Sequence, residues 1–213
     1  MTLMERIRAA KIIVIVRGLP TEHMISLASA LYAGGIRAIE VTFNQAKPET
    51  WSETTAAIRT LCEHFDGRID VGAGTVMTPE QVHLAREAGA KYIISPNVNE
   101  AVIRETKKLG LLSFPGALTP TEAVFAHDCG ADAIKLFPAG DMGPGYLKAL
   151  AAPLAHIDFM AVGGITENNA ADFMKAGAIG LGVGGGLVNK AWIEAGEFDR
   201  ITALAEKYVK AVQ

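Results

Sequence analysis

Lys135 stands in Ala133-Ile134-Lys135-Leu136-Phe137, an otherwise apolar run that reads as a buried strand. A charge is expensive there. Desolvation lowers a lysine's pKa, and the neutral amine that results is the nucleophile needed to attack a carbonyl and form a Schiff base. The competing reading is a strand lysine paired with a carboxylate for structure alone. Glu40 repeats the pattern in Ala38-Ile39-Glu40-Val41-Thr42-Phe43. A carboxylate near an iminium can shuttle protons both at the carbinolamine step and at the carbon next to the imine, which is general acid–base work. Its plain alternative is a buried salt bridge. Arg17 closes the run Ile12–Val16, and its planar fork suits a substrate carboxylate, although a surface arginine reads the same way.

Glycines gather in three places, Gly72-Ala73-Gly74-Thr75, Gly163-Gly164 and Gly182-Val183-Gly184-Gly185-Gly186. Glycine lets backbone N–H groups approach an anion closely, so the last two groups are candidate phosphate-binding loops; tight turns alone are the other reading. His23, His64, His83, His127 and His156 show no ligand spacing and read as solvated, so neither a metal nor another cofactor is expected. Cys62 and Cys129 lack a CxxC or zinc-like spacing and are expected to be reduced thiols. Trp51 and Trp192 read as packing residues.

These side chains need strands to carry them. Short β-branched runs alternate with amphipathic stretches: Ile12–Val16, Ile36–Phe43, Ile69–Gly72, Tyr92–Ser95, Leu111–Phe114, Ala133–Phe137, Ile157–Val162 and Ile179–Val183. Such alternation signals βα units and a parallel sheet. Pro20-Thr21-Glu22, Thr78-Pro79-Glu80, Asn99-Glu100, Thr119-Pro120 and Thr166-Glu167 offer helix N-caps. Gly35, Gly89, Gly110, Gly130 and Gly177 sit where helices end and strands follow. Eight units without a GxGxxG opening favour a closed (β/α)8 TIM barrel over an open doubly wound sheet, with a short helix before it. In a barrel the candidate residues fall at the carboxyl ends of strands, on the face that binds substrate.

Bulk properties fit one globular domain over residues 1–213: 50% of residues are hydrophobic, 20% are charged and the formal net charge is −3. No apolar run is long enough to span a membrane, and no basic cluster points to nucleic acid. Met1–Ala10 carries Glu5, Arg6 and Arg8 at helical spacing and no signal-peptide core, so the cytoplasm is the expected compartment.

With Glu40, Gly72–Thr75, Ser95-Pro96, Pro115-Gly116, Ile134–Ala139 and Gly163–Ile165 in this order, the whole chain resembles the KDPG/KHG aldolase family. That resemblance implies reversible cleavage of a 2-keto-3-deoxy-6-phospho-sugar acid to pyruvate and glyceraldehyde 3-phosphate, or of 4-hydroxy-2-oxoglutarate to pyruvate and glyoxylate, by a metal-free homotrimer. It implies that Lys135 forms the Schiff base, Glu40 transfers protons and Thr75 contacts the pyruvyl portion. Pro96 and Phe137 would shape the pocket, and Gly163, Gly164, Gly184, Gly185 and Gly186 would bind phosphate. Two positions depart from the family pattern. Asn44 stands where familiar members carry the carboxylate-clamp arginine, which makes Arg17 the candidate clamp, as in the 2-keto-3-deoxy-6-phosphogalactonate branch. Gly185 replaces a phosphate-binding serine, leaving backbone amides to hold the anion. On the residues alone, a phosphosugar isomerase or epimerase using Glu40 as base, and a non-catalytic phosphometabolite-binding barrel, remain rivals.

Overall fold

The computed structural model describes residues 1–213. Nine parallel strands form one sheet: β1 (Ile12–Val16), β2 (Ala38–Thr42), β3 (Asp70–Gly74), β4 (Tyr92–Ile94), β5 (Leu112–Phe114), β6 (Gly116–Ala117), β7 (Ile134–Leu136), β8 (Phe159–Val162) and β9 (Gly180–Val183). Their order is β5-β4-β3-β2-β1-β9-β8-β7-β6, so the two ends of the sheet are separated in the chain by Pro115 alone. The fifth expected run, Leu111–Phe114, is β5, and β6 follows Pro115 as a ninth strand that the sequence did not suggest. Proline has no N–H to donate to a ladder. Its carbonyl still accepts from the Lys135 N–H at 2.9 Å, which helps hold the seam closed.

Ten helices accompany the strands: α1 (Leu3–Ala10), α2 (Met24–Ala33), α3 (Trp51–His64), α4 (Pro79–Glu87), α5 (Glu100–Lys108), α6 (Pro120–Asp128), α7 (Ala139–Ala151), α8 (Ala170–Lys175), α9 (Lys190–Glu194) and α10 (Phe198–Val212). Thr78 and Thr119 form capping boxes with Gln81 and Glu122, and Asn99 caps α5, as their spacing suggests. All five expected helix-end glycines have positive φ. At Gly35 the closure is a Schellman turn, with Gly35 N–H donating to Tyr32 and Ile36 N–H to Leu31.

Two expected caps do not form. Thr21 opens a single 3-10 turn, and α2 begins only at Met24 with no side-chain cap. Thr166 donates its N–H to Asn169 Oδ1 at 2.8 Å instead of capping, so α8 starts three residues later than the sequence suggested.

Strand alternation divides the core. Ile12, Val14, Ile39 and Val41 face outward and pack with the helices. Ile13, Tyr92, Phe114 and Met160 fill the barrel interior, where Ile7 of α1 joins them from below. Burying Ile7 stabilises the fold by about 1.5–3 kcal/mol and closes the bottom of the barrel.

Candidate active site

Lys135 lies at the middle of β7 and is only 7% exposed; Glu40, at the middle of β2, is 1% exposed. Both line a small cavity of about 10 Å³ inside the barrel, with Ile15, Phe114, Met160 and Val162 among its walls. Burial lowers the Lys135 pKa from its ordinary value, an effect that Glu40 opposes and Arg17 reinforces. Burial raises the Glu40 carboxyl, against the pull of Lys135 and then of Arg17. The two groups feel each other's charge but form no ion pair, and Glu40 Oε2 has no hydrogen-bond partner. Four steps around the sheet separate β2 from β7, so the pair faces across the barrel.

Gly72 and Gly74 have roles that their sequence did not reveal. A Cβ on Gly74 would lie 2.3 Å from Glu40 Oε2, so the missing side chain is the carboxylate's berth. One on Gly72 would lie 2.1 Å from the Tyr92 ring, whose hydroxyl donates to the Ile39 carbonyl at 2.7 Å beside Glu40. The available signal was period: glycines two apart in a strand share one face.

Arg17 extends past β1, and its Nη2 donates to Thr75 Oγ1 at 3.4 Å. Thr75 has φ 54, a conformation costly for a β-branched residue, on the order of 1–3 kcal/mol. Gln45 Nε2 donates to its carbonyl at 2.5 Å and helps hold it there. Asn44 is occupied within its own loop: Oδ1 accepts the Ala46 N–H at 3.0 Å, and its carbonyl accepts Trp51 Nε1 at 3.0 Å. Arg17 is thus the guanidinium at the barrel mouth. A cleft of about 670 Å³ shares Arg17, Thr42 and Thr75 with that mouth but does not include Lys135. Lys135 and Glu40 sit inside the barrel, outside this cleft.

Phe137 is 39% exposed and its ring centroid lies 5.0 Å from Lys135 Nζ. The ring rests against Gly163, where a Cβ would come within 3.1 Å. Pro96, half-buried beyond β4, presents its carbonyl to Gly116. Gly163 and Gly164 have positive φ, and their carbonyls accept from Gly140 N–H at 2.7 Å and Asn169 Nδ2 at 2.9 Å. The N–H groups of Gly163, Gly164, Ile165, Gly184, Gly185 and Gly186 donate to no acceptor within the chain. Uncommitted amides in two adjoining loops suit an anion. Tyr208 of α10, absent from the sequence expectations, links the loops: its hydroxyl is 3.4 Å from the Ile165 carbonyl and 3.1 Å from where a Cβ on Gly186 would stand. No group of three or more His, Cys, Asp or Glu could hold a metal ion.

The family model described as KDPG and KHG aldolase matches residues 3–204. The chain is 34% identical over 203 residues to the 2-dehydro-3-deoxy-6-phosphogalactonate aldolase of Escherichia coli (strain K12), covering 95% of this chain and 96% of that one. It is 35% identical over 194 residues to the KHG/KDPG aldolase of the same strain, covering 90% and 87%. Among solved structures, KDPG aldolase from Legionella pneumophila, with pyruvate captured at low pH as a covalent carbinolamine intermediate, superposes with a TM-score of 0.85 at 28% identity, covering 96% of this chain and 97% of that one.

Proposed function

The chain belongs to the KDPG and KHG aldolase family and is a class I aldolase, a carbon–carbon lyase; we propose that Lys135 is its Schiff-base nucleophile and Glu40 its proton carrier. The observation that carries this assignment is a buried lysine, its pKa lowered by that burial, facing a buried carboxyl across an apolar cavity. Neutral Lys135 Nζ adds to the C2 carbonyl of the keto acid, and the carbinolamine loses water to give a protonated imine. Glu40 as carboxylate takes the C4 hydroxyl proton, the C3–C4 bond breaks, and its electron pair moves into the imine to give an enamine and the free aldehyde. Glu40, now a carboxylic acid, returns the proton to C3, and hydrolysis of the imine releases pyruvate.

Arg17 and the Thr75 hydroxyl hold the keto-acid carboxylate, while Phe137 and Pro96 form apolar walls. The amides of Gly163, Gly164, Gly184, Gly185 and Gly186 receive the phosphate. The substrates we propose are 2-keto-3-deoxy-6-phosphogalactonate or 2-keto-3-deoxy-6-phosphogluconate, and 4-hydroxy-2-oxoglutarate as the unphosphorylated counterpart. The whole chain acts as one barrel domain, supported by a single sheet holding every strand. A cytoplasmic homotrimer completes the reading. Exposed Phe125 of α6 and Met142 of α7 supply apolar surface for its interfaces, and no helix is long and apolar enough to cross a membrane.

Incubation with pyruvate and borohydride followed by mass mapping tests the assignment. Reduction should leave one pyruvate-derived adduct on Lys135, and Lys135→Ala should lose both adduct and cleavage while remaining folded. A folded Lys135→Ala protein that still cleaves substrate would refute the nucleophile.

A further inference from the structure

Three buried side-chain atoms of this chain have no hydrogen-bond partner: Glu40 Oε2, Thr42 Oγ1 and Gln81 Nε2. The Gln81 amide is otherwise employed, since its Oε1 accepts the Met77 and Thr78 N–H groups at 2.8 and 3.3 Å and completes the capping box of α4. Thr42 has no such employment. It is 6% exposed, and its hydroxyl bonds to neither backbone nor side chain, a condition that costs the fold free energy and that valine, of the same shape, would relieve. The hydroxyl does nothing for the fold.

Register places it where chemistry can use it. Thr42 follows Glu40 by two residues, so both side chains lie on the inner face of β2. Both also border the space beside Gly74, the partner of Thr42 on β3: a Cβ there would lie 2.3 Å from Glu40 Oε2 and 2.9 Å from Thr42 Cγ2. Arg17 follows Val16, which pairs with Val41, and Thr75 follows Gly74. The Arg17–Thr75 hydrogen bond therefore passes from β1 to β3 across the end of β2, where Thr42 stands, and all three residues line one cleft. Thr42 lies between the proposed carboxylate clamp and the proposed proton carrier.

We propose that the Thr42 hydroxyl is a further catalytic group of this aldolase, hydrogen-bonded to the C2 oxygen of the keto acid while that oxygen is converted from carbonyl to departing water. This rests on the aldolase reading above, with Lys135 as nucleophile and Glu40 as proton carrier. A keto acid carries its C2 oxygen on the carbon next to its carboxylate, so a substrate clamped by Arg17 and Thr75 presents that oxygen near the end of β2. Attack by neutral Lys135 Nζ puts negative charge on the oxygen, and Thr42 donates to it. A proton passing from the nitrogen makes it a hydroxyl, which then donates to Thr42 Oγ1; one hydroxyl side chain serves both stages because it is donor and acceptor. Protonated Glu40 gives its proton to the C2 hydroxyl, the C2–O bond breaks, and the nitrogen lone pair closes the C=N bond, leaving water, a protonated imine and the Glu40 carboxylate. Thr42 keeps its own proton throughout. Losing one such hydrogen bond slows imine formation roughly 10-fold.

The test is rapid mixing with saturating pyruvate, quenching with borohydride at set times, and mass measurement of the reduced imine on Lys135. Thr42→Val should form the imine roughly 10-fold more slowly than wild type, reach the same final adduct, and melt at the same temperature or higher, because it removes a buried hydroxyl without a partner. Thr42→Ser, which restores the hydroxyl, should recover most of the rate. Imine formation by Thr42→Val at the wild-type rate would overturn the proposal, as would a slow Thr42→Val protein whose rate Thr42→Ser does not restore. A lowered melting temperature in Thr42→Val would overturn it too, by giving the hydroxyl a structural role. Failure of the aldolase reading shows separately, as wild-type protein in which pyruvate and borohydride leave Lys135 unmodified.

Discussion

Gly74→Ala should leave the protein folded and nearly inactive. The added Cβ would lie 2.3 Å from Glu40 Oε2 and 2.7 Å from its Cδ, whereas ordinary contact begins at 3.4 Å, so the carboxylate must retreat by about 1 Å. The φ of Gly74 is not in the left-handed region, so alanine fits the backbone, and the loss of unfolded-chain entropy returns about 0.4–1 kcal/mol. The group that yields is the end of a side chain beside a cavity; Thr42 Cγ2, at 2.9 Å, must also give slightly. Stability should therefore change little. Catalysis should not be spared, because a reacting group misplaced by about 1 Å costs roughly 100-fold. Gly72→Ala is the control. Its Cβ meets the Tyr92 ring at 2.1 Å, and that ring is fully buried and tethered to Ile39, so overpacking should cost about 3 kcal/mol or more. Thermal melts and pyruvate release measured side by side give the result. Wild-type turnover in Gly74→Ala would refute the claim that Glu40 acts from this position, and matching losses of stability in both variants would refute the distinction between berth and core.

The rate of borohydride trapping with pyruvate should rise with pH through a midpoint below 10.5, because burial lowers the Lys135 pKa. Glu40→Gln removes the charge that opposes this lowering and should move the midpoint further down, while Arg17→Ala removes a cation that reinforces it and should move the midpoint up. Shifts in the same direction would contradict the charge arrangement. At the other end of the barrel, burial alone would raise the Asp70 carboxyl, but hydrogen bonds from Arg6 and Lys91 bring it below its ordinary value of 3.8. A depressed carboxyl stabilises the fold above its unfolded value and loses that contribution as pH falls through the folded one. Asp70→Asn should therefore cost about 1–2 kcal/mol near neutral pH, discounted because Arg6 and Lys91 are partly exposed. Denaturant melts across the acid range should show that difference shrinking below pH 3.8.

Lys135 and Glu40 were legible in the sequence because a charge inside a β-branched run has few structural excuses. The barrel was legible because the same strand, helix and terminal glycine recur along the chain. Distances between strands were not. Each charge reads singly from the sequence, and the sheet order sets β2 and β7 on opposite sides of the barrel, where the two groups influence each other without pairing. The two-residue strand β6, just past Pro115, was not legible because Gly116-Ala117 is too short to show a hydrophobic period. The roles of Gly72 and Gly74 depended on what fills the space beside them, which belongs to Tyr92 and Glu40 rather than to the glycines. Nor does composition foretell the left-handed Thr75, whose carbonyl accepts from Gln45 and whose hydroxyl accepts from Arg17, partners distant in the chain.

The lowered pKa of Lys135 requires a dry floor, and a barrel open at both ends would not provide one. Ile13, Ile94, Phe114 and Met160 line the cavity that holds Lys135 and Glu40, and the same side chains pack downward onto Ile7 of α1. The helix is held in place by its Thr2–Glu5 capping box and by Arg6, which hydrogen-bonds to both oxygens of Asp70 at 2.8 and 2.9 Å. Water admitted from below would solvate the ammonium and return its pKa toward the ordinary value, and with it the protonated, unreactive form. With Lys135 as the proposed nucleophile, the N-terminal helix would serve the chemistry without touching the reacting atoms, by keeping the amine at the other end of the packed column desolvated.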